Sequence, residues 1–312
     1  MLPAREPDKC DESPTNELEL RVYGLMRSGN HAIIEWILGL FPGEKTCFLN
    51  NVDHGQNDPY SSARKSIIGG FDSADPQQCQ REAKKVLIYS YEDRKHLQKT
   101  GTPFLDSVFD PAFESSREDF LGPSLRRRDV LILRDPFNCF ASRMAMIQDR
   151  GANGGMRQLP EIAQNWKALA RRALQLADGH AETEMVILFN EWIRSRDYRE
   201  RIASALGGQY CEANMHRISR FGGGSSFTPN RSYRRWSGGR FFHYLQQWIV
   251  PGRQHAEMLT HRWKNLRDNE SFRSLFRDPE ILQLSEALFG EVPGTRKFVR
   301  TIISEFKHLA QA

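Results

Sequence analysis

Three unbroken apolar runs constrain this chain more than any other feature: Val86-Leu87-Ile88, Val130-Leu131-Ile132-Leu133 and the segment from Met185 to Phe189. A strand with one face in water alternates apolar and polar residues. An unbroken run instead reads as a strand covered on both faces, which is the habit of parallel sheets. The runs fall in predicted strands over residues 85–91, 129–134 and 185–189, and residues 18–25 and 46–52 add two more. Helical periodicity fills the intervals. Residues 31–40 put Ile33, Ile34, Ile37 and Leu38 on one face, residues 137–148 and 161–177 read as helices, and residues 198–206 form a short helix closed by Gly207 and Gly208. This alternation predicts an α/β fold with a mostly parallel central sheet flanked by helices. Residues 57–80, rich in Ser, Gly, Asp and Pro, read as loop with short helix, and Arg126-Arg127-Arg128 as a solvated basic turn before a strand. Residues 222–229 form a Gly/Ser loop. From Arg240 onward the pattern is helical, with breaks at Pro251-Gly252 and near Pro279 and Pro293. The expected organisation is a mobile polar tail over residues 1–17, without a signal-peptide core, and one domain over 18–312 whose last part, 240–312, is mainly helical.

Composition narrows the function. Lys and Arg number 44 against 39 Asp and Glu, a net charge of +5 that no tail or single face concentrates. That balance points away from nucleic acid and suits a local positive pocket for an anionic ligand. The five cysteines, at positions 10, 47, 79, 139 and 211, include no C-x-x-C pair. Neither a zinc site nor a disulfide framework is expected, and a reducing, cytoplasmic setting is. No run reaches the length of a membrane span.

In open parallel sheets, ligands bind beyond the carboxyl ends of the strands. The loop after the first strand reads Gly24-Leu25-Met26-Arg27-Ser28-Gly29-Asn30-His31. Its Gly-x4-Gly frame has nucleotide-loop spacing, yet Asn30 and His31 stand where a nucleoside-triphosphatase carries Lys and a metal-anchoring Ser or Thr. Backbone amides at a helix N-terminus still hold phosphate or sulfate. An ordinary strand-to-helix turn capped by Ser28 or Asn30 has the same pattern. A second loop, Arg134-Asp135-Pro136, ends a predicted strand, and Ser142 follows two turns into a helix, so that Arg134 and Ser142 can face one anion.

Taken together, these two loops resemble those of the P-loop sulfotransferase superfamily. The first resembles the family's Lys/Arg-Ser-Gly-Thr-x loop, with Asn30 in place of the commoner Thr, and the second its Arg-Asp/Asn-Pro with Ser eight residues past the Arg. Residues 186–192 with the helix that follows, and the basic loop Arg231-Ser-Tyr-Arg-Arg235-Trp236, are similar to later family segments, so the resemblance runs from about residue 18 to 236. It implies a P-loop-type sulfotransferase fold with extra C-terminal helices. It also implies transfer of a sulfuryl group from 3′-phosphoadenosine 5′-phosphosulfate (PAPS), without a metal, to a hydroxyl or amine of a small-molecule or glycan acceptor. Arg27, Ser28, Gly29, Asn30 and His31 are then expected at the 5′-phosphosulfate, Arg134 and Ser142 at the 3′-phosphate, and Arg231 and Arg235 closing over the cofactor. Arg27 is expected to stabilise the leaving phosphate. The Trp that stacks on adenine in many members is Ala32 here, Trp36 reads as core, and Phe221 or Phe227 is left to meet the base. The Lys-Thr-His segment that supplies a catalytic His is absent. Glu92, the first carboxylate past its strand, is the leading candidate for the general base, with His54 and then His96 as competitors. A P-loop small-molecule kinase and a catalytically inactive nucleotide- or glycan-binding module are the alternatives.

Overall fold

The computed structural model describes residues 14–53, 58–72, 75–93, 103–149, 157–178, 183–212, 215 and 261–309. Six strands form one sheet: β1 (Asn16–Gly24), β2 (Thr46–Asn50), β3 (Lys65–Gly69), β4 (Lys84–Glu92), β5 (Ser124–Leu133) and β6 (Glu184–Leu188), in the order β3-β2-β4-β1-β5-β6. All neighbours are parallel except β3, which pairs antiparallel with β2 at one edge. The α/β class expected from the apolar runs is therefore the one observed.

Helices cover both faces. On one face, α1 (Asn30–Leu38), α8 (Phe189–Arg194) and α9 (Arg196–Leu206) bury Ile33, Ile34, Trp36, Ile37 and Trp192 against Leu18, Leu20, Val22, Ile88 and Ile132. The Trp36 indole N–H donates to the Cys211 carbonyl, so Trp36 is core, as expected. The other face carries α2 (Pro59–Ser62), α3 (Pro76–Arg81), α4 (Phe104–Val108), α5 (Pro111–Leu121), α6 (Pro136–Asp149) and α7 (Leu159–Asp178). The C-terminal stretch adds a 3₁₀ turn (Arg262–Leu266) and the helices α10 (Glu270–Leu275), α11 (Pro279–Phe289) and α12 (Thr295–Leu309). Phe272, Phe276 and Phe298 of this stretch join the core beside Phe137 and Trp263. Trp263 and Phe276 are thus interior residues.

Asp-Pro pairs start five of these helices, α2, α3, α5, α6 and α11. Asp58, Asp75, Asp110, Asp135 and Asp278 each accept a backbone N–H of the first turn, and Pro takes the first helical position, where no N–H is needed.

Three expectations are corrected. The loop-rich stretch contains β3, a strand the sequence hides because an edge strand is only half covered. The segment Arg126-Arg127-Arg128 is not a turn: β5 starts at Ser124 and runs through it. Arg127 donates to the carboxylate of Glu19, a fully buried residue of β1 that also receives Arg117, Ser124 and Tyr89. Finally, β1 begins at Asn16, inside the expected tail, because Asn16 donates to the Leu121 carbonyl and to Ser124.

Candidate functional site

The site lies at the carboxyl ends of β1, β4, β5 and β6. Register places Gly24 of β1 opposite Glu92 of β4, and Leu133 of β5 beside Leu188 of β6. The chain leaves each strand there, so residues 25–29, Asp93, Arg134 and Phe189 are gathered around one rim.

The first loop turns tightly. Arg27 and Gly29 take left-handed backbones, with φ of 80° and 100°. For Arg27 this is a sparsely populated conformation. At Gly29 the need for glycine is twofold, because a Cβ would sit 2.3 Å from the Phe189 ring. Gly29 is also the N-cap of α1, and no side chain caps that helix. Neither Ser28 nor Asn30 plays that part: the Ser28 hydroxyl lies 3.7 Å from the Cys139 thiol, and Asn30 is already inside the helix. The uncapped amide end of α1 keeps its affinity for an anion.

The second loop meets the first directly. The Arg134 guanidinium is 2% exposed, lies over the Phe189 ring at 4.8 Å and donates to the Arg27 carbonyl at 3.4 Å. Phe189 is thus held between Gly29 and Arg134. The Arg27 Nε donates to the Ser142 Oγ at 3.1 Å, and Arg262 Nη1 donates to the same oxygen at 3.0 Å. Arg262 comes from the C-terminal 3₁₀ turn and is anchored by its own N–H to Asn138 Oδ1 at 2.8 Å. Two guanidiniums from distant parts of the chain therefore meet at one buried hydroxyl, and a third, Arg134, is tied to the backbone of the first. Burial disfavours the charge on Arg262 most strongly, and the fields of Arg134 and Arg27 add to it. Burial likewise lowers the pKa of Arg134, offset in part by Asp135. Asp135 itself is occupied: it caps α6 through Asn138 and exchanges hydrogen bonds with Asn190. Burial pushes the Cys139 thiol up to about 11, so it is protonated and inert beneath the loop.

The carboxylates at the end of β4 divide their roles. Asp93 accepts from the Met26 N–H at 2.8 Å and from both terminal nitrogens of Arg143 at 2.9 and 3.2 Å. This fully buried pair locks the first loop to β4 and α6. Glu92, 6% exposed, accepts a hydrogen bond from Asn30 Nδ2 at 3.2 Å. His31 Nε2 lies 2.8 Å from Asn50 Oδ1 at the end of β2.

Of the residues singled out in the sequence, Arg27, Ser28, Gly29, Asn30, His31, Glu92, Arg134 and Ser142 share this rim. The side chains of Ser28, Asn30 and His31 are engaged with Cys139, Glu92 and Asn50, and the Ser28 backbone N–H donates to the Leu25 carbonyl at 3.1 Å. His54, His96, Phe221, Phe227, Arg231 and Arg235 lie outside the described residues. Arg262, Phe189 and Asp93 were missed. Phe189 lay at the end of a predicted strand, whereas β6 stops at Leu188 and Phe189 opens α8. Among the described residues no group of three or more His, Cys, Asp or Glu side chains could hold a metal ion.

No protein-family model matches the chain, and no curated protein matches it in sequence. Among solved structures it is similar to the sulfotransferase domain of the Synechococcus PCC 7002 olefin synthase. That similarity has 15% identity and a TM-score of 0.46, and covers 92% of this chain and 100% of the other. It is also similar to mouse sulfotransferase SULT7A1 complexed with PAP, at 11% identity and a TM-score of 0.39, over 84% of this chain and 88% of the other.

Proposed function

We propose that this protein is a PAPS-dependent sulfotransferase acting on a hydroxyl or amine of a small-molecule or glycan acceptor. The observation that carries the reading is a cluster of three guanidiniums beside the uncapped end of α1: Arg27 and Arg262 donate to Ser142, and Arg134 donates to the Arg27 carbonyl. Buried like charges at such spacing are costly, and an anion bound among them offsets the cost. Two anion sites side by side fit a nucleotide with phosphates on both its 3′ and 5′ positions.

In this reading Arg134, Ser142 and Arg262 hold the 3′-phosphate. Ser142 Oγ already accepts two N–H donors, so its O–H is left to donate to the ligand. The amides of residues 29–31 and the Arg27 guanidinium hold the 5′ end. Bound PAPS supplies the sulfuryl group, whose bond to the 5′-phosphate oxygen breaks, with the electron pair left on that oxygen, as the acceptor atom bonds to sulfur. Arg27 meets the negative charge that grows at the leaving phosphate. Glu92 takes the proton of the acceptor hydroxyl or amine. The commitment of Asp93 to Arg143 and Met26 leaves it no role as a magnesium ligand, which speaks against the kinase alternative.

The same reading takes residues 16–312 as one catalytic domain working in a reducing, cytoplasmic setting. Cys47, Cys79, Cys139 and Cys211 are free thiols, and no described helix is long and apolar enough to cross a membrane. The test is release of 3′-phosphoadenosine 5′-phosphate (PAP) from PAPS in the presence of a chelator and a panel of hydroxyl, amine and glycan acceptors. Release at least 100-fold faster than in Arg27→Ala supports the reading, and equal rates overturn it.

A further inference from the structure

The amide of Asn30 stands where the resemblance puts a threonine hydroxyl. Its Nδ2 donates to two acceptors, the Leu25 carbonyl and Glu92 Oε1, each at 3.2 Å. Asn30 and Glu92 are both buried, 4% and 6% exposed. An amide has two N–H groups and can bridge two acceptors, whereas a threonine has a single O–H. Turned over, the amide would set its oxygen against a carbonyl and a carboxylate, so the donor face is fixed by its surroundings. The backbone makes room for this arrangement. Gly24 pairs with Glu92 across β1 and β4, and a Cβ there would lie 3.0 Å from Asn30 Oδ1 and 2.5 Å from the Ile132 carbonyl. The second oxygen of Glu92, Oε2, accepts no hydrogen bond from a described residue, and it is not among the partnerless polar atoms sealed from solvent.

We infer that Asn30 is a positioning residue for Glu92: it fixes Oε1 and so aims Oε2 at the acceptor. The inference rests on the reading of Glu92 as the base. In this chain the exchange of Thr for Asn in the first loop and the presence of a carboxylate at the end of β4 go together, because only the amide can hold loop carbonyl and carboxylate at once. Asn30 then serves the acceptor half of the site with its side chain and the donor half with its backbone N–H.

The test uses Asn30→Thr, Asn30→Ala, Glu92→Gln and the double variants, with three readouts. The first needs no activity: carbodiimide labelling of carboxylates followed by peptide mass spectrometry. Labelling of Glu92 should change at least threefold in Asn30→Ala, while the exposed Asp268 stays constant. An unchanged Glu92 overturns the inference whatever the enzyme does. Changes at many carboxylates at once would mark a general loss of structure and equally overturn it. The second readout is calorimetric affinity for PAP, which should stay within about threefold. The third is kcat for PAP release from PAPS, which should fall roughly 10- to 100-fold in Asn30→Ala with KM for PAPS little changed, because a misplaced group loses about that much. Asn30→Thr, which keeps a donor but not the bridge, should lie between. Added to Glu92→Gln, either change at Asn30 should have no further effect on kcat. Full additivity would show that Asn30 does not act through Glu92. If PAP fails to bind the unaltered protein, the sulfotransferase reading falls, while the labelling result still decides whether Asn30 sets the carboxylate.

Discussion

Arg27 Nε donates to Ser142 Oγ at 3.1 Å, a bond that spans 115 positions of sequence and joins the two anion loops into one. The Arg134 guanidinium crosses in the other direction to the Arg27 carbonyl. The two loops are therefore parts of one hydrogen-bonded network. Arg27→Ala and Ser142→Ala should each weaken PAP binding. A charge-assisted hydrogen bond is worth about 1.5–3 kcal/mol, or roughly 10- to 100-fold in affinity. The double variant should lose clearly less than the sum, because the partners share one network. Calorimetry on the four proteins measures this coupling. Additive losses would separate the loops again.

Arg262→Met should move stability and binding in opposite directions. The guanidinium is buried among Arg134 and Arg27, so its removal relieves repulsion and desolvation in the empty protein. Without ligand, the thermal midpoint should hold or rise. PAP affinity should fall by at least tenfold, and the ligand-induced rise in midpoint should shrink with it. A parallel fall of midpoint and affinity would make Arg262 a structural residue only.

Gly29→Ala combines two penalties. The left-handed φ of 100° disfavours any side chain, and the new methyl would press into the Phe189 ring. The conformation alone costs about 1–2 kcal/mol. Displacement of Phe189 would also shift Arg134, which lies over it. The expected outcome is a denaturation midpoint lowered by at least that cost, together with weakened PAP binding. A variant that binds normally would show that the tight packing of Gly29 on Phe189 does not hold Arg134.

Arg143→Met leaves the Asp93 carboxylate buried with only the Met26 N–H. Breaking one side of a buried ion pair costs about 3–5 kcal/mol. Urea unfolding should show a loss of that order. Asp93→Asn with Arg143→Met together should recover part of it, because the uncompensated charge is then removed. No recovery in the double variant would mean that the pair is not the source of the loss.

The parts of the fold that could be read from sequence are those whose signal is local. Continuous apolar runs mark β4 and β5, whose runs are buried, and the edge strand β6, whose run Met185 to Leu188 is apolar although mostly half-buried. The Asp-Pro pairs mark helix starts because capping involves neighbouring residues. β3 escaped because its half-exposed residues at the sheet edge carry no such run. Arg126 to Arg128 read as a turn because the carboxylate that admits Arg127 into a strand, Glu19, lies 108 positions away. The site divides in the same way. Arg27, Arg134 and Ser142 lie in loops of recognisable spacing, while Arg262 precedes Trp263 in an unremarkable stretch and reaches Ser142 only through the packing of the C-terminal aromatic cluster. No local pattern announces it.

The central claim is that these loops bind a nucleotide phosphorylated at both ends and do so without metal. Titration calorimetry of the unaltered chain with PAP in the presence of a chelator, set against ATP with magnesium, tests it most directly. The account predicts that PAP binds at least 100-fold more tightly, and that Arg134→Ala removes most of this preference. Tighter binding of magnesium-ATP, or a preference for PAP that survives loss of Arg134, would contradict it.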